Sequence, residues 1–576
     1  MKSCPSWFLK GLLLVFLLTS QWPVWSEESA YTFQKNVLIP MRDGVELAAN
    51  IFLPQGDGPF PAILIRSPYG KSDEKNGDGI KYASAGYAFV IQDCRGKGDS
   101  KGTWDPFRYD PQDGYDTQDW ISKQPWSNGK IGAMGGSYVG YTQWAPAPFN
   151  PPALKAMVPI VPFNNAYEVM YAGGAFQLAL SMGWGAAVSG IPMDPAKIKL
   201  EEAYKYLPLK TWDDCLGHEI FYLRDWIAHP TYDDYWKQRG IDNRYADIAV
   251  PILNIGGWYD IFSKATVEMV TRVRQESREV AIRRNQFAIL GPWDHGVNKE
   301  KVGELEFSNA KIDLGDMQFQ WFEYWLKGKD TPVKDWPPYY LYVMGENQWR
   351  AEYEWPLART QFTKYYFHSQ GKANTRHGDG SLCETAPQTE NSDTFVYDPN
   401  NPVPSLGGNN LVGAPAGPYN QQKLEERDDV LVYTSGMLNE PLEVTGPVKM
   451  ILYASSSARD TDFTAKLVDV HPGGKAYNLC EGIIRARYRD AAKGESLIEP
   501  GQVYQYEIDL WVTSNVFLPG HRIRVEVSSS NFPRFDRNPN SGKEFGTDTE
   551  LFKATQTIHH NDQYPSHIIL PVIPRK

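Results

Sequence analysis

Between residues 37 and 163, hydrophobic positions fall into short continuous runs separated by stretches with helical spacing. The runs are PAILIR at 61–66, YAFVIQD at 87–93, IGAM at 131–134 and AMVPIV at 156–161. A strand buried on both faces has this character, so strand and helix in alternation predict a mostly parallel sheet covered on each side. The stretch DGYDTQDWISK at 113–123 starts acidic and repeats its apolar positions at helical spacing, which predicts a crossover helix. From about 165 to 247 the chain is rich in Tyr, Trp, Met and small residues, without strand-like alternation; a helical cap inserted into the α/β unit is expected there. The sheet pattern resumes with VPILNI at 250–255 and QFAIL at 286–290, and MQFQWFEYWLK at 317–327 predicts an amphipathic helix. Beyond about 350, short alternating strands between Gly and Pro turns predict a β-sandwich, as at 448–453, 462–468, 503–512 and 523–528. The expected division is a leader at 1–26, an α/β domain at 27–164 and 248–350, a cap at 165–247 and the sandwich at 351–576.

A chain of 576 residues exceeds what one core supports, in keeping with several domains. The leader has Lys2 and Lys10, the apolar run at 11–18, and Val24 and Ser26 at cleavage-site spacing. This reads as a secretory signal peptide, because the run is shorter than the roughly 20 residues a spanning helix needs. A secreted or periplasmic protein without a membrane anchor after cleavage is expected. The remaining cysteines, Cys94, Cys215, Cys383 and Cys480, have no metal-ligand spacing, and Cys383 with Cys480 is a candidate pair. The net charge of −11 is dispersed, with no basic block, which argues against a nucleic-acid partner. Homo-oligomerisation is left open by the sequence.

The candidate chemistry starts at Ser137, in IGAMGGSYVG at 131–140: a strand running into a glycine-flanked serine and then a helix. That is the layout of a nucleophile elbow, although the second flanking glycine is Gly140 and Val139 stands where G-x-S-x-G has glycine. A serine nucleophile needs a base and a group that orients the base. In the chain order serine, acid, histidine, the loop GGWYDIF after 250–255 offers Asp260, and GPWDHG after 286–290 offers His295. The other histidines lie in the cap segment or beyond 360. Asp93 and Arg95 read as a buried structural ion pair beneath the elbow. HRIRVEVSSSNFPRFDRN at 521–538 reads as a strand and turn packing the sandwich on the α/β domain, and His559 with His560 as a solvated strand end.

RSPYGK at 66–71, QDCRGKGDSKG at 92–102, GGSYVG, GGWYDIF, GPWDHG and FLPGHRIRVEVSSSNFPRFDRNPN at 517–540 follow one another in this order. On these motifs the chain resembles the cocaine esterase-like serine hydrolases, a group that includes α-amino-acid ester hydrolases, glutaryl acylases and, more distantly, X-prolyl dipeptidyl-peptidases. The resemblance implies an α/β-hydrolase fold with a helical cap and a C-terminal jelly-roll. It makes G-x-S-Y-x-G the expected elbow, and implies oxyanion donors in the Tyr69 hydroxyl and the Tyr138 backbone N–H. It implies no cofactor or metal, and a small ester or amide substrate. The α-amino-acid ester hydrolases carry acidic residues after the triad aspartate; here Ile261, Phe262 and Ser263 follow Asp260, which points to an uncharged acyl group. The alternatives are an X-prolyl dipeptidyl-peptidase and a non-catalytic secreted glycan-binding protein.

Overall fold

The computed structural model describes residues 31–191, 199–490 and 493–575; the leader lies outside the described residues. The first unit is built on strands β1 (Tyr31–Pro40), β2 (Glu46–Pro54), β3 (Phe60–Ser67), β4 (Ala88–Asp93), β5 (Ser127–Gly136), β6 (Leu154–Ile160), β7 (Ile252–Gly257), β8 (Gln286–Gly291), β9 (Tyr339–Val343) and β10 (Gln348–Glu352). They form one sheet in the order β1-β2-β4-β3-β5-β6-β7-β8-β9-β10. From β4 to β9 every neighbour is parallel. The edges β1, β2 and β10 join antiparallel. The inner strands β4, β7 and β8 are buried along their whole length, hence their near-continuous apolar sequences.

Helices cover both faces. Asp110–Ser122 has proline in its first turn with Asp110 and Asp113, suited to the positive end of a helix. Leu314–Lys327 is capped by the Asp313 side chain, which accepts from the Asp316 N–H, and ends at Gly328 with φ 68°. Its Phe322 and Leu326 fit against Gly132 of β5, where a Cβ would come within 2.5 Å of the Phe322 ring. Between β6 and β7 the chain leaves the sheet for helices that include Leu178–Ala187 and Phe221–Ala228, and packs Trp212, Trp226 and Trp236 into a core shared with Phe107, Tyr138, Tyr141 and Phe262 of the α/β unit.

Past residue 360 the regular structure is mainly strand, separated by long loops, with eleven strands in one hydrogen-bonded network. The long strand Leu442–Ser456 joins its parts. It pairs with Tyr504–Phe517 on one side and with Ala554–His559 and His567–Ile573 on the other. The core of this domain runs without a break into the loop after β7, through Trp258 and Tyr259. The 521–538 segment is partly strand, Arg522–Ser528, and partly the turn that docks on the helical insertion. There Ala179 N–H donates to Pro533 O (3.0 Å) and Asp536 N–H to Phe176 O (2.9 Å). Arg485, buried, bridges Asp462 and Asp536 at 2.8 Å each. Removing one member of such a buried set strands a charge and costs about 3–5 kcal/mol. No helix among the described residues is long and apolar enough to cross a membrane.

Three sequence-based expectations need correction. Asp93 and Arg95 are buried but not paired with each other: Asp93 holds Lys71 at 2.8 Å, while Arg95 bridges Asp113 (2.6 Å) and Asp43 (2.7 Å). Asp93 is the last residue of β4 and Arg95 lies in the turn beyond it, where the strand no longer sets the side-chain direction, so each finds its own partner. Cys383 and Cys480 are free, the first exposed beside His368 and the second buried in the core. His560 is not solvated: it is fully buried between Asp393 (2.8 Å) and Glu390 (3.3 Å), which together raise its pKa against the opposing effect of burial.

Candidate active site

Ser137 sits between β5 and the helix Tyr138–Trp144 with φ 61° and ψ −126°. This conformation is costly for a residue with a Cβ and projects the side chain away from the turn. The elbow is held by Ser137 N–H to Ile160 O (2.9 Å) and by Gly140 N–H and Tyr141 N–H to Ser137 O (2.8 and 3.0 Å). The local glycines explain the departure from G-x-S-x-G. A Cβ on Gly135 would meet Val139 Cγ1 at 2.3 Å, and one on Gly140 would meet Ile160 O at 3.1 Å. Val139 therefore lies over Gly135, and the close approach of helix to strand falls at Gly140.

Below the elbow lies a buried polar cluster. The Tyr138 hydroxyl donates to Asp110 Oδ2 (2.6 Å) and accepts from Phe107 N–H (2.7 Å). Arg66 stands 3.4 Å from Asp110 Oδ1 and donates to Gln92 Oε1 (3.0 Å). Burial pushes the Asp110 carboxyl above its ordinary pKa, and Arg66 draws it back. The Tyr138 side chain thus anchors the turn, while its backbone N–H, at the first helical position, forms no hydrogen bond among the described residues. Side chain and backbone are separable. Tyr138→Phe is expected to cost about 1–3 kcal/mol in a urea melt by leaving Asp110 and Phe107 N–H short of a partner, with kcat for ester hydrolysis within a few fold of the parent.

Asp260 and His295 occupy the loops after β7 and β8, at the same end of the sheet as Ser137. The two loops are stapled together by Trp258 N–H to Gly291 O and Tyr259 N–H to Trp293 O, both 2.9 Å. Asp260 is fully buried; its Oδ1 lies 2.7 Å from His295 Nδ1 and its Oδ2 accepts from Phe262 N–H (3.2 Å). A carboxylate at Nδ1 fixes that nitrogen as the donor and leaves Nε2 free to act as a base. Asp294, the neighbour of the histidine, is engaged with Lys299 instead.

Tyr69 follows β3. The residue as a whole is 54 % exposed, but its hydroxyl accepts from Trp184 Nε1–H at 3.1 Å, and burial raises its pKa while Trp184 and Ser137 pull it down. Tyr69, Ser137, Phe262 and Trp184 line one small depression, and Phe262 meets the His295 ring edge-on at 5.7 Å. The structure thereby gathers all five residues singled out in the sequence at one end of the sheet.

Three contributors were not singled out. Trp184 comes from the helical insertion, and Leu411 reaches the depression from the C-terminal domain. Asn409, 1 % exposed, donates from that domain to Trp258 O (2.8 Å) and Asp260 O (2.9 Å), and so holds the acid loop from outside. The 398–420 loop that carries Asn409 and Leu411 has no period and no motif, so nothing in the sequence signals them. A larger cavity shares Phe163, Val169 and Phe262 with the depression. Among the described residues four acidic groups line it: Glu168 and Asp509 face Lys264 at 3.9 and 2.9 Å, Glu481 is paired with Arg534 and Glu507 with Lys449.

A serine at positive φ on a strand-to-helix turn, with a histidine–carboxylate pair on later loops of the same parallel sheet, defines the α/β-hydrolase class of serine hydrolases. Residues 43–297 match the X-Pro dipeptidyl-peptidase (S15 family) model, and residues 331–569 match the X-Pro dipeptidyl-peptidase C-terminal non-catalytic domain. The chain is 38 % identical to the cocaine esterase of Rhodococcus sp. (strain MB1 Bresler), over 95 % of this chain and 99 % of that one. Two solved structures superpose along nearly their whole length. One is an aminopeptidase from a marine sediment Thaumarchaeota archaeon, with TM-score 0.81, 28 % identity, and 95 % and 97 % of the two chains covered. The other is an α-amino acid ester hydrolase, with TM-score 0.80, 26 % identity, and 98 % and 100 % covered. The chain belongs to the cocaine esterase-like branch of the X-Pro dipeptidyl-peptidase (S15) family of serine hydrolases.

Proposed function

We propose that the protein hydrolyses small carboxylic esters with an uncharged, largely apolar acyl group, through a Ser137–His295–Asp260 triad and an acyl-enzyme. The observation that carries this reading is the 2.7 Å contact between His295 Nδ1 and the fully buried Asp260, on the loops beside the elbow. His295 Nε2 takes the Ser137 proton as Oγ attacks the carbonyl carbon, and Asp260 stabilises the imidazolium. The oxyanion receives the Tyr69 hydroxyl and the Tyr138 N–H. The imidazolium returns its proton to the leaving oxygen, and water then repeats the sequence to free the acid. The apolar walls Phe107, Phe163, Leu180, Trp184 and Phe262 favour an apolar acyl chain or ring.

The peptidase reading is less favoured. A dipeptidyl-peptidase must hold a free ammonium, yet no acidic residue follows Asp260 directly, and Glu168 and Asp509 are already engaged by Lys264. A panel of aryl and alkyl esters set against Gly-Pro anilides tests this: efficient anilide cleavage with poor ester turnover would overturn the ester reading. The enzyme itself is tested with a fluorophosphonate. Labelling of Ser137, located by peptide mapping, is the expected outcome, and a folded protein that stays unlabelled refutes the triad. Tyr69→Phe is expected to lower kcat by about 10²–10³-fold with little change in KM, as for loss of one oxyanion donor. We also propose export to the periplasm or medium, supported by the residue pattern at 1–26; a mature protein beginning at Glu27 is the expected result of N-terminal sequencing.

A further inference from the structure

The C-terminal domain carries a group of ligating side chains unrelated to the serine site. Asp469 lies near the end of the strand Asp462–Val470, His471 opens the hairpin beyond it, and His521 precedes the strand Arg522–Ser528. These strands pair antiparallel with Asp469 opposite Ile523 and Val470 opposite Arg522, a register that carries His521 to the base of the hairpin. One ligand atom from each of the three lies within 4.8 Å of the other two. Asp469 Oδ1 is 2.8 Å from His521 Nδ1, Asp469 Oδ2 is 3.7 Å from His471 Nε2, and the imidazole centroids are 4.4 Å apart.

Asp469 is 5 % exposed, and a buried carboxylate requires a compensating cation. In the same domain Asp460, Asp462, Glu425 and Glu481 each hold an arginine: Arg487, Arg485, Arg524 and Arg534. Asp469 has only the two imidazoles as ionic partners among the described residues. We propose that Asp469, His471 and His521 bind one divalent transition-metal ion of the zinc class. Two imidazole nitrogens and one carboxylate oxygen suit zinc, cobalt or nickel, whereas calcium and magnesium take oxygen ligands. Around zinc, with bonds of about 2.0–2.2 Å, neighbouring ligand atoms stand roughly 3–3.5 Å apart. The observed separations are 2.8 Å from Oδ1 to His521 and 3.7 Å from the other oxygen, Oδ2, to His471, with the three ligand atoms within 4.8 Å of one another, so the set closes onto an ion by a small movement. His471 supplies the adjustment: its side chain is one-third exposed, and its hairpin turns through Gly473 and Gly474, both at positive φ. The ion fastens this hairpin to the strand pair below it, and water completes its shell on the exposed side.

The test uses the untagged full chain, stripped with EDTA and titrated with zinc chloride by calorimetry, with zinc content measured after dialysis. One zinc per chain and a raised melting temperature are expected. His471→Ala, on an exposed hairpin, should bind at least about tenfold more weakly and lose the thermal response, while its metal-free ester turnover matches the parent. Asp469→Asn, which preserves volume, should lose binding in the same way. Cobalt should give visible d–d bands in the parent and none in His471→Ala. No zinc retained by the parent, or equal retention by His471→Ala, overturns the site and leaves a hydrogen-bonded histidine–aspartate pair.

Discussion

Ser137→Ala is expected to lower kcat for ester hydrolysis by about a million-fold while leaving the fold and melting temperature close to those of the parent. The size follows from the role proposed for the hydroxyl: in that mechanism its loss removes the acyl-enzyme, and the residual rate is expected from water attacking a substrate still held by the proposed oxyanion donors. The preservation of structure follows from the turn, which is held at Ser137 by backbone hydrogen bonds to Ile160 O, Gly140 N–H and Tyr141 N–H, while the side chain interacts with Tyr69 outside the turn. Alanine tolerates φ 61° about as poorly as serine does, so the strain is unchanged. Stopped-flow turnover with an activated aryl ester, alongside fluorophosphonate labelling, measures both sides of this prediction. Substantial turnover with an intact fold would remove Ser137 from the chemistry.

The second large effect is expected at Asp260. Asp260→Asn keeps the volume and the contact with Phe262 N–H but offers an amide to His295 Nδ1 in place of a carboxylate. An amide that donates to Nδ1 selects the tautomer with its proton on Nε2, the nitrogen that must accept from Ser137. A drop in kcat of about 10⁴-fold is expected, with KM little changed because Asp260 is fully buried and does not touch substrate. A loss smaller than about tenfold would assign the orienting role to another carboxylate.

The parallel strands were legible because burial on both faces writes itself as unbroken apolar runs, and β4, β7 and β8 fall on YAFVIQD, VPILNI and QFAIL. The loop ends were legible for the same reason. Once β7 and β8 are found, Asp260 and His295 are the ionisable residues that follow them, apart from Asp294, which turns to Lys299. What remained hidden are contacts made across long sequence separations by side chains with no periodic neighbours. Asn409 reaches the acid loop 149 residues away, and His560 reaches Asp393 from 167 residues away. The antiparallel entry β1–β2 was not resolved either, since β1 is half-exposed and weakly apolar. Hydrophobic spacing reports which face of an element is buried; it carries no information on which distant amide completes a loop.

Asn409 also bears on the order in which the chain becomes competent during synthesis. Ser137, Asp260 and His295 all leave the ribosome before it, and the segments that build its surroundings, such as Asn478, come later still. The loop carrying Asp260 gains the hydrogen bonds from Asn409 to Trp258 O and Asp260 O, and that from the Tyr259 hydroxyl to Asn478 O, only when the C-terminal domain has docked. A nascent chain that already contains Ser137, Asp260 and His295 therefore still lacks the contacts from Asn409 that hold the Asp260 loop.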